Sequence, residues 1–301
     1  MLTHRSGSSD AGLFVVSAME RESSLLKKQI DDSIAVKFHT VGIGPERAYQ
    51  GIRSMLGSRQ DVDTPHNRPP MVLLLGFAGA VDGSLKSGDL VLSNRYRREA
   101  LTADSPLAGI GIPPDASGRG EDTGWPDSLL PNQWMHQQAL ESVQSMNMRF
   151  TLAPSLTVGR IINSPAEKRA IRDRIPVSTV NMEDYWAAAA AAEAGAHFLS
   201  VRAVLDVSDR RLPGYLSSMS ASGSNAVLST LGRPWRAPEL LGLAIQMRSA
   251  QRSLARFALS FIPKIMSLPG SASFVSGALS LPLEYAQSVP SNPGINTWIN
   301  K

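Results

Sequence analysis

Short apolar runs and amphipathic helical stretches alternate from residue 12 to residue 206, and few architectures accommodate that order. GLFVVSA (12–18) reads as a strand, and MERESSLLKKQI after it as a helix with Leu25, Leu26 and Ile30 on one face. VKFHTVGIG is a second strand ending in a Gly turn, and PERAYQGIRSML opens a helix with Pro45 at its first position. MVLLLGFAGAV is a buried strand running into a turn of small residues, and GDLVLSNRYRREA a further strand. The pattern resumes with QWMHQQALESVQSM (helix), RFTLAPSLTVG (strand), SPAEKRAIRDRI (helix), VSTVN (strand), MEDYWAAAAAAEAG (helix) and HFLSVRAVLD (strand). Such alternation predicts an α/β domain with a mixed, largely parallel central sheet flanked by helices. The Ala run is expected to be a close-packed helix face, because helical residues flank it on both sides.

Three stretches interrupt the pattern. The first 12 residues are small and polar, an expected disordered tail without the apolar core of a signal peptide. DVDTPHNRPP is a surface loop by composition, and Asp104 to Asn132 is a long irregular excursion rich in Pro, Gly and Asp. The expected organisation is a tail over 1–12, one α/β domain over 13–231, and a C-terminal segment over 232–301 holding an amphipathic helix and an irregular tail.

Composition excludes several chemistries. Among the 301 residues there is no cysteine, which removes disulfides, thiolate catalysis and Cys-ligated zinc and fits a reducing, cytoplasmic compartment. The net charge of +4 is only mildly basic and gathers in one C-terminal segment, a poor basis for nucleic-acid binding. No run is long enough for a membrane-spanning helix. The five histidines lack metal-ligand spacing. No G-x-S-x-G elbow or Walker loop is present, and Gly42-Ile43-Gly44 is only half of a dinucleotide fingerprint.

What the strands deliver at their ends is acid. Glu22 lies in the turn after FVVSA, Glu183 after STVN, and Asp206 directly after VRAVL, while Gly76-Phe77-Ala78-Gly79 follows MVLLL. Ligands of open α/β sheets bind outside the carboxyl ends of the strands, so parallel neighbours would bring these groups to one crevice. Taken singly, Glu20, Glu22, Glu183 and Asp184 are acids in first helical turns, which the helix dipole favours. Asp206 is harder to dismiss. An apolar strand that runs straight into a carboxylate must pair or neutralise it.

SAMERE (17–22), VGIGPERA (41–48), GFAGAVDGSLKSGDLVLS (76–93), VNMEDYWAAAAAAEAG (180–195) and SVRAVLDVSD (200–209) together resemble the nucleoside phosphorylase superfamily. Their order and spacing are similar to its nucleosidase branch, which cleaves methylthioadenosine and S-adenosylhomocysteine. The resemblance implies a catalytic Asp206 whose carboxyl meets N7 of the departing purine, and a catalytic Glu22 that activates water. It implies that Glu183 binds the ribose hydroxyls, that Met182 packs beneath the sugar, and that Ala78 and Gly79 form the turn beside it. Ile162, in RIINSP, matches a backbone position that reads the adenine edge. No metal or organic cofactor is implied; a small purine nucleoside is the implied ligand, and a homo-oligomer the implied assembly.

Departures from the family pattern leave the substrate open. Leu205 stands in place of a Ser before the catalytic Asp, Asn181 in place of an acid, and Ile161 in place of an aromatic residue. The Arg-rich strand and Gly-rich loop that hold phosphate in typical phosphorylases are not evident, which favours water over phosphate as acceptor. A non-catalytic nucleoside-binding protein of the same fold is the alternative these departures raise.

SPAEKRAIRDR, VSDRRLP and GRPWRAPELLGLAIQMRSAQRSLARF also look like the hopanoid-associated phosphorylases, a subgroup associated with removing adenine from adenosylhopane. Residues 235–264 are patterned as a helix, with Leu240, Ala244, Met247, Leu254, Phe257, Ala258 and Phe261 on an apolar face and Arg248, Arg252 and Arg256 in a basic stripe. Such a helix either lies on the inner face of an anionic membrane or docks on its own domain with the Arg face solvated.

Overall fold

The computed structural model describes residues 12–57, 69–99, 126–208 and 237–267. The expected tail, the loop over 61–68, most of the excursion after Asp104, the VSDRRLP ending beyond Ser208 and the stretch after residue 267 lie outside the described residues.

Eight strands form one sheet: β1 (Leu13–Ser17), β2 (Val36–Thr40), β3 (Met71–Ala80), β4 (Leu90–Arg98), β5 (Ser128–Leu129), β6 (Phe150–Thr157), β7 (Thr179–Asn181) and β8 (His197–Asp206). Parallel pairing joins β2 to β1, β1 to β3, and β3 to β8. β8 then pairs antiparallel with β4, β4 parallel with β6, β6 parallel with β7, and β7 antiparallel with β3. The strands β3, β8, β4, β6 and β7 therefore close a circuit, and β1 and β2 extend from it as a wing. The mixed, largely parallel sheet expected from the alternation is present. The excursion is less irregular than its composition implied, because Ser128 and Leu129 pair with Arg97 and Tyr96 at the edge of β4.

Helices cover both faces. On one side α1 (Glu20–Gln29), α3 (Gln133–Ser145) and α6 (Ala237–Ser267) pack on β1, β3 and β8. On the other, α2 (Pro45–Gly57) and α5 (Asp184–Glu193) pack together, with Tyr49 edge-on to Trp186 at 6.4 Å between centroids. Residues Tyr185 to Ala191 of α5 are all buried. The small side chains of Ala187 to Ala191 let α2 and the sheet approach from opposite sides, so the Ala run is close-packed on more than one face. The remaining helix, α4 (Pro165–Arg174), covers a separate apolar cluster near the end of β6.

α6 is docked on its own domain. Leu254, Phe257, Ala258, Phe261, Ile262 and Ile265 are buried in the main core, Phe257 stacking on Phe261 at 5.1 Å. Lys264 Nζ donates to Glu141 Oε2 at 2.5 Å, and Arg256 Nη2 donates to the Met146 carbonyl at 3.1 Å. Gly88, at φ +87°, sits against this helix, where a Cβ would lie 2.4 Å from Ser249 Oγ. Most of the apolar stripe read from the sequence is therefore spent on the core, while Arg248, Arg252 and Arg256 remain exposed.

Candidate active site

Three parallel strands, β1, β3 and β8, end side by side, and their ends carry the site. Glu22 enters from the first turn of α1, where its carboxylate accepts from the Met19 N–H at 2.8 Å. Its other oxygen accepts from the Phe77 N–H of β3 at 2.9 Å. The first contact is the usual service of an acid three residues into a helix; the second ties α1 to the sheet. Glu22 is 4% exposed. Burial raises its pKa, Arg202 opposes that rise and Glu183 adds to it, leaving it at about 7.

Glu183 starts α5, just after β7. Its Oε1 accepts from the Gly44 N–H at 3.1 Å, and its Oε2 lies 3.2 Å from Arg202 Nη1. Burial again raises the pKa, against the pull of Arg202 and the Gly44 N–H. β7 runs antiparallel to β3, so Glu183 arrives from the opposite direction to Glu22. Of the strands that lead to the three acids, β1 and β8 run parallel to β3 and β7 antiparallel to it, within the expected mixed sheet. Strand β7 is three residues long, pairs with β6 along its length and meets β3 at Gly79 and Ala80 alone.

A cation outside the quoted motif acids pairs with Glu183 and acts electrostatically on Glu22. Arg202, fully buried in the middle of β8, donates from Nε to Asp184 Oδ1 at 2.8 Å and from Nη1 to the Phe77 carbonyl at 3.3 Å. Its Nη2 lies 2.7 Å from Asp184 Oδ1 as an ion pair. Burial works against its charge, but Asp184, Glu183 and Glu22 outweigh it and hold the pKa above the usual arginine value. Gly76 makes room: a Cβ there would lie 2.0 Å from Arg202 Nη1 and 3.2 Å from Glu22 Oε1.

Asp184 is likewise more than a first-turn acid. Its carboxylate accepts from Ser155 Oγ (2.9 Å), Asn181 Nδ2 (2.7 Å) and Ser200 Oγ (2.5 Å) as well as from Arg202. The Asn181 departure has a structural reason here. Its Oδ1 accepts from the backbone N–H groups of Glu183 (3.0 Å) and Asp184 (2.8 Å) and from Thr157 Oγ1 (3.1 Å), while its Nδ2 donates to Asp184. An amide both caps α5 and donates to the neighbouring carboxylate; an ionised aspartate could do only the first.

Asp206 ends β8 next to Gly79. Pairing of β3 with β8 slips between Ala78↔Val204 and Gly79↔Asp206, so Leu205 is an extra residue on β8, a bulge of the kind that re-aims a side chain. Leu205 packs against the main core, which accounts for an apolar residue at that position. Asp206 is 4% exposed, and a Cβ on Gly79 would stand 3.1 Å from its Oδ1. Its Oδ2 pairs with Lys168 Nζ, which also donates to the Val207 carbonyl at 3.0 Å. Burial pushes the Asp206 pKa up and Lys168 pulls against it.

The other expected site residues gather around this frame. Ala78 and Gly79 form the end of β3, and Met182 lies within reach of Gly44, 4.0 Å from where a Cβ there would be. The Ile162 side chain is buried with Val158, Ile171 and Val180, leaving its backbone as the part able to meet a ligand. A pocket of about 470 Å3 is lined by Gly83, Lys86, Val207, Ser208 and Gln246 among others, with none of Glu22, Glu183 and Asp206 in its lining. Among the described residues no three metal-ligating side chains are arranged to hold a metal ion.

Residues 65–222, just over half of the chain, match the family model of the phosphorylase superfamily, and the chain belongs to that superfamily. Its fold is similar to that of the 5′-methylthioadenosine/S-adenosylhomocysteine nucleosidase of Neisseria meningitidis, solved with methylthio-immucillin-A. The identity is 17% and the TM-score 0.59, over 84% of this chain and 98% of that one. The corresponding nucleosidase of S. pneumoniae aligns at 18% identity and TM-score 0.60, covering 84% and 99%. Futalosine hydrolase of Helicobacter pylori aligns at 14% and 0.59, covering 84% and 97%. At these identities the likeness establishes a shared fold.

Proposed function

We propose that the protein cleaves the N-glycosidic bond of an adenine nucleoside, with water as the acceptor. The observation that carries this reading is the placement of two carboxyl systems of different character at adjoining strand ends. One is Glu22 with Glu183, where Arg202 pairs with Glu183 and acts electrostatically on Glu22; the other is Asp206 against Lys168. Breaking the bond sends its electron pair onto the purine and leaves an oxocarbenium-like sugar, so the reaction needs an acid on one side and negative charge on the other. Asp206 supplies the proton to N7. Glu183 holds the ribose hydroxyls over Met182, beside Ala78 and Gly79. Glu22, with a pKa of about 7, takes a proton from the attacking water once it is ionised. Water is assigned over phosphate because Arg202, the buried cation of this cluster, is already engaged by Asp184 and Glu183, and a phosphate beside Glu22 would meet carboxylates. Positioning and fixed charge carry the chemistry in this scheme. Incubation with adenosine, methylthioadenosine and adenosylhopane, each with and without phosphate, tests it by release of free adenine. Phosphate-independent release is expected. No adenine from any of them would leave the fold as a nucleoside-binding module, and release only with phosphate would reassign the acceptor.

A finer reading concerns a lipid-linked nucleoside worked at a membrane surface. It is supported by the outer face of α6, where Leu241 (63% exposed) and Ile245 (61%) stand in line with Arg248 and Arg252. Apolar and basic side chains on one solvated face suit shallow attachment to anionic lipid, although no described helix is long and apolar enough to cross a membrane. Binding to anionic liposomes, released by salt and weakened by Leu241→Gln with Ile245→Gln, is the expected result. Indifference to such vesicles at low salt would confine α6 to its structural role.

A further inference from the structure

Lys168 has no surface task. It is the one charged side chain of α4 turned inward: Arg169, Arg172, Asp173 and Arg174 on the same helix are exposed, and Glu167 pairs with Arg160. Its ammonium is fully buried, spans from α4 to the end of β8, and meets both the Asp206 carboxylate and the Val207 carbonyl. A buried ammonium is expensive unless paired, and a well-packed apolar side chain would usually serve stability as well. Here the pairing falls on the carboxyl to which the proposed chemistry gives the proton.

We propose that Lys168 is a positioning residue that acts through Asp206 as its proton reservoir: the two groups hold one proton between them and deliver it to the departing base. The inference rests on the nucleosidase reading above. As the C–N bond breaks, its electrons move onto the purine. A Lys168 N–H bond breaks as the Asp206 O–H bond forms, and that O–H bond breaks in turn as the N7–H bond forms, leaving Asp206 ionised. Lys168 is left as the neutral amine until solvent returns a proton. The attacking water gives up its proton to Glu22, so the reaction as a whole neither consumes nor releases one. A lone carboxyl could act only while it kept its own proton. The pair keeps a proton over a far wider pH range, since an amine holds one well above where a carboxyl does.

Among the described residues, the charged groups around this pair are few. Asp206 comes from β8 and Lys168 from α4. Glu22 of α1, Glu183 and Asp184 of α5 and Arg202 of β8 make the adjoining cluster, and Lys86 lines the pocket beside Val207. Glu22 and Glu183 titrate in any variant of Lys168, so a ratio of rates removes them.

The experiment is the pH profile of kcat on adenosine, or on whichever nucleoside above is cleaved fastest, for the wild type, Lys168→Met and Lys168→Arg. The wild-type to Lys168→Met ratio should lie near one in acid. Above the pH at which the variant's Asp206 loses its proton it should climb about tenfold per pH unit. Lys168→Arg, which keeps the charge but holds its proton too tightly to release it, should not restore the alkaline rate. A purely structural loss would give a ratio flat with pH and would be repaired by Lys168→Arg; that outcome overturns the proposal. Should Lys168→Met fail to fold, the wild type suffices. Its turnover of adenosine relative to N7-methyladenosine, whose base leaves without needing a proton, stays flat into alkaline pH if lysine is the reservoir and falls tenfold per unit if the carboxyl stands alone. No cleavage by the wild type would overturn the nucleosidase reading itself, whereas cleavage with the wrong pH pattern overturns only the role of Lys168.

Discussion

Glu22→Gln should make the protein's stability less sensitive to pH, and the size of the change follows from where Glu22 sits. Folding moves this carboxyl from water to a site 4% exposed and raises its pKa from 4.5 to about 7. The folded state then binds the proton more tightly than the unfolded state, so stability falls as pH rises through the window between those two values. The full effect is about 3 kcal/mol, of which roughly 2–3 kcal/mol falls between about pH 5 and about pH 8. Gln retains one acceptor for the Phe77 N–H but turns its amide toward the Met19 N–H, a loss of about 1–3 kcal/mol that is the same at both pH values. Urea unfolding of wild type and variant at both values isolates the carboxyl, because the other titrating groups cancel in the difference except where they couple to Glu22. The wild type should lose roughly 2–3 kcal/mol more than the variant on going to the higher pH. Parallel pH profiles would mean that Glu22 keeps an ordinary pKa, and the argument that it is tuned to take a proton near neutrality would go with it. Its activity should mirror this: wild-type kcat falls as pH drops below about 7, and Glu22→Gln is slow throughout.

Asp206→Asn should reduce kcat by about 100-fold or more while changing KM only a few-fold, since proton donation is felt chiefly in the transition state; a rise in KM alone, seen in steady-state kinetics, would make Asp206 a binding residue. Glu183→Gln should weaken both parameters together, because in the proposed scheme it holds the ribose in ground and transition states alike. Gly76→Ala inserts a methyl 2.0 Å from Arg202 Nη1, forcing the guanidinium off Asp184 and Glu183. Disturbing a buried pair costs about 3–5 kcal/mol, so the melting midpoint should drop sharply; a variant with wild-type stability would show that Arg202 has another place to go.

Much of this fold could be read from the chain because periodicity reports burial, and the strands and helices here are buried in the usual ways. FVVS, MVLLLGFAGA and HFLSVRAVLD announce themselves as strands by their apolar runs, and the acids at their ends follow from chain order. What the pattern could not carry is pairing across the sheet. The closed circuit depends on β7 reversing against β3, and three residues hold no signal of direction. Arg202 is the instructive case. A cation inside SVRAVL is as conspicuous as the carboxylate after it, and the rule that a buried charge needs a partner applies to both. Its partner Asp184 was present in the sequence too, but looked like an ordinary helix-start acid.

Lys168 and Asp206 carry the same lesson into the chemistry. On its helix Lys168 is one basic residue among several, and only the docking of α4 against the end of β8 separates it from Arg169 and Arg172. The two ion pairs of the site then differ in kind. Arg202 cannot give up its proton, so it can only fix the geometry and charge of Glu183 and Asp184. Lysine can, which is why the side chain beside the proposed proton donor matters and why Lys168→Arg is not expected to be a neutral change. In the proposed reaction, fixed negative charge beside the sugar and a transferable proton at the base are the two requirements of breaking the glycosidic bond.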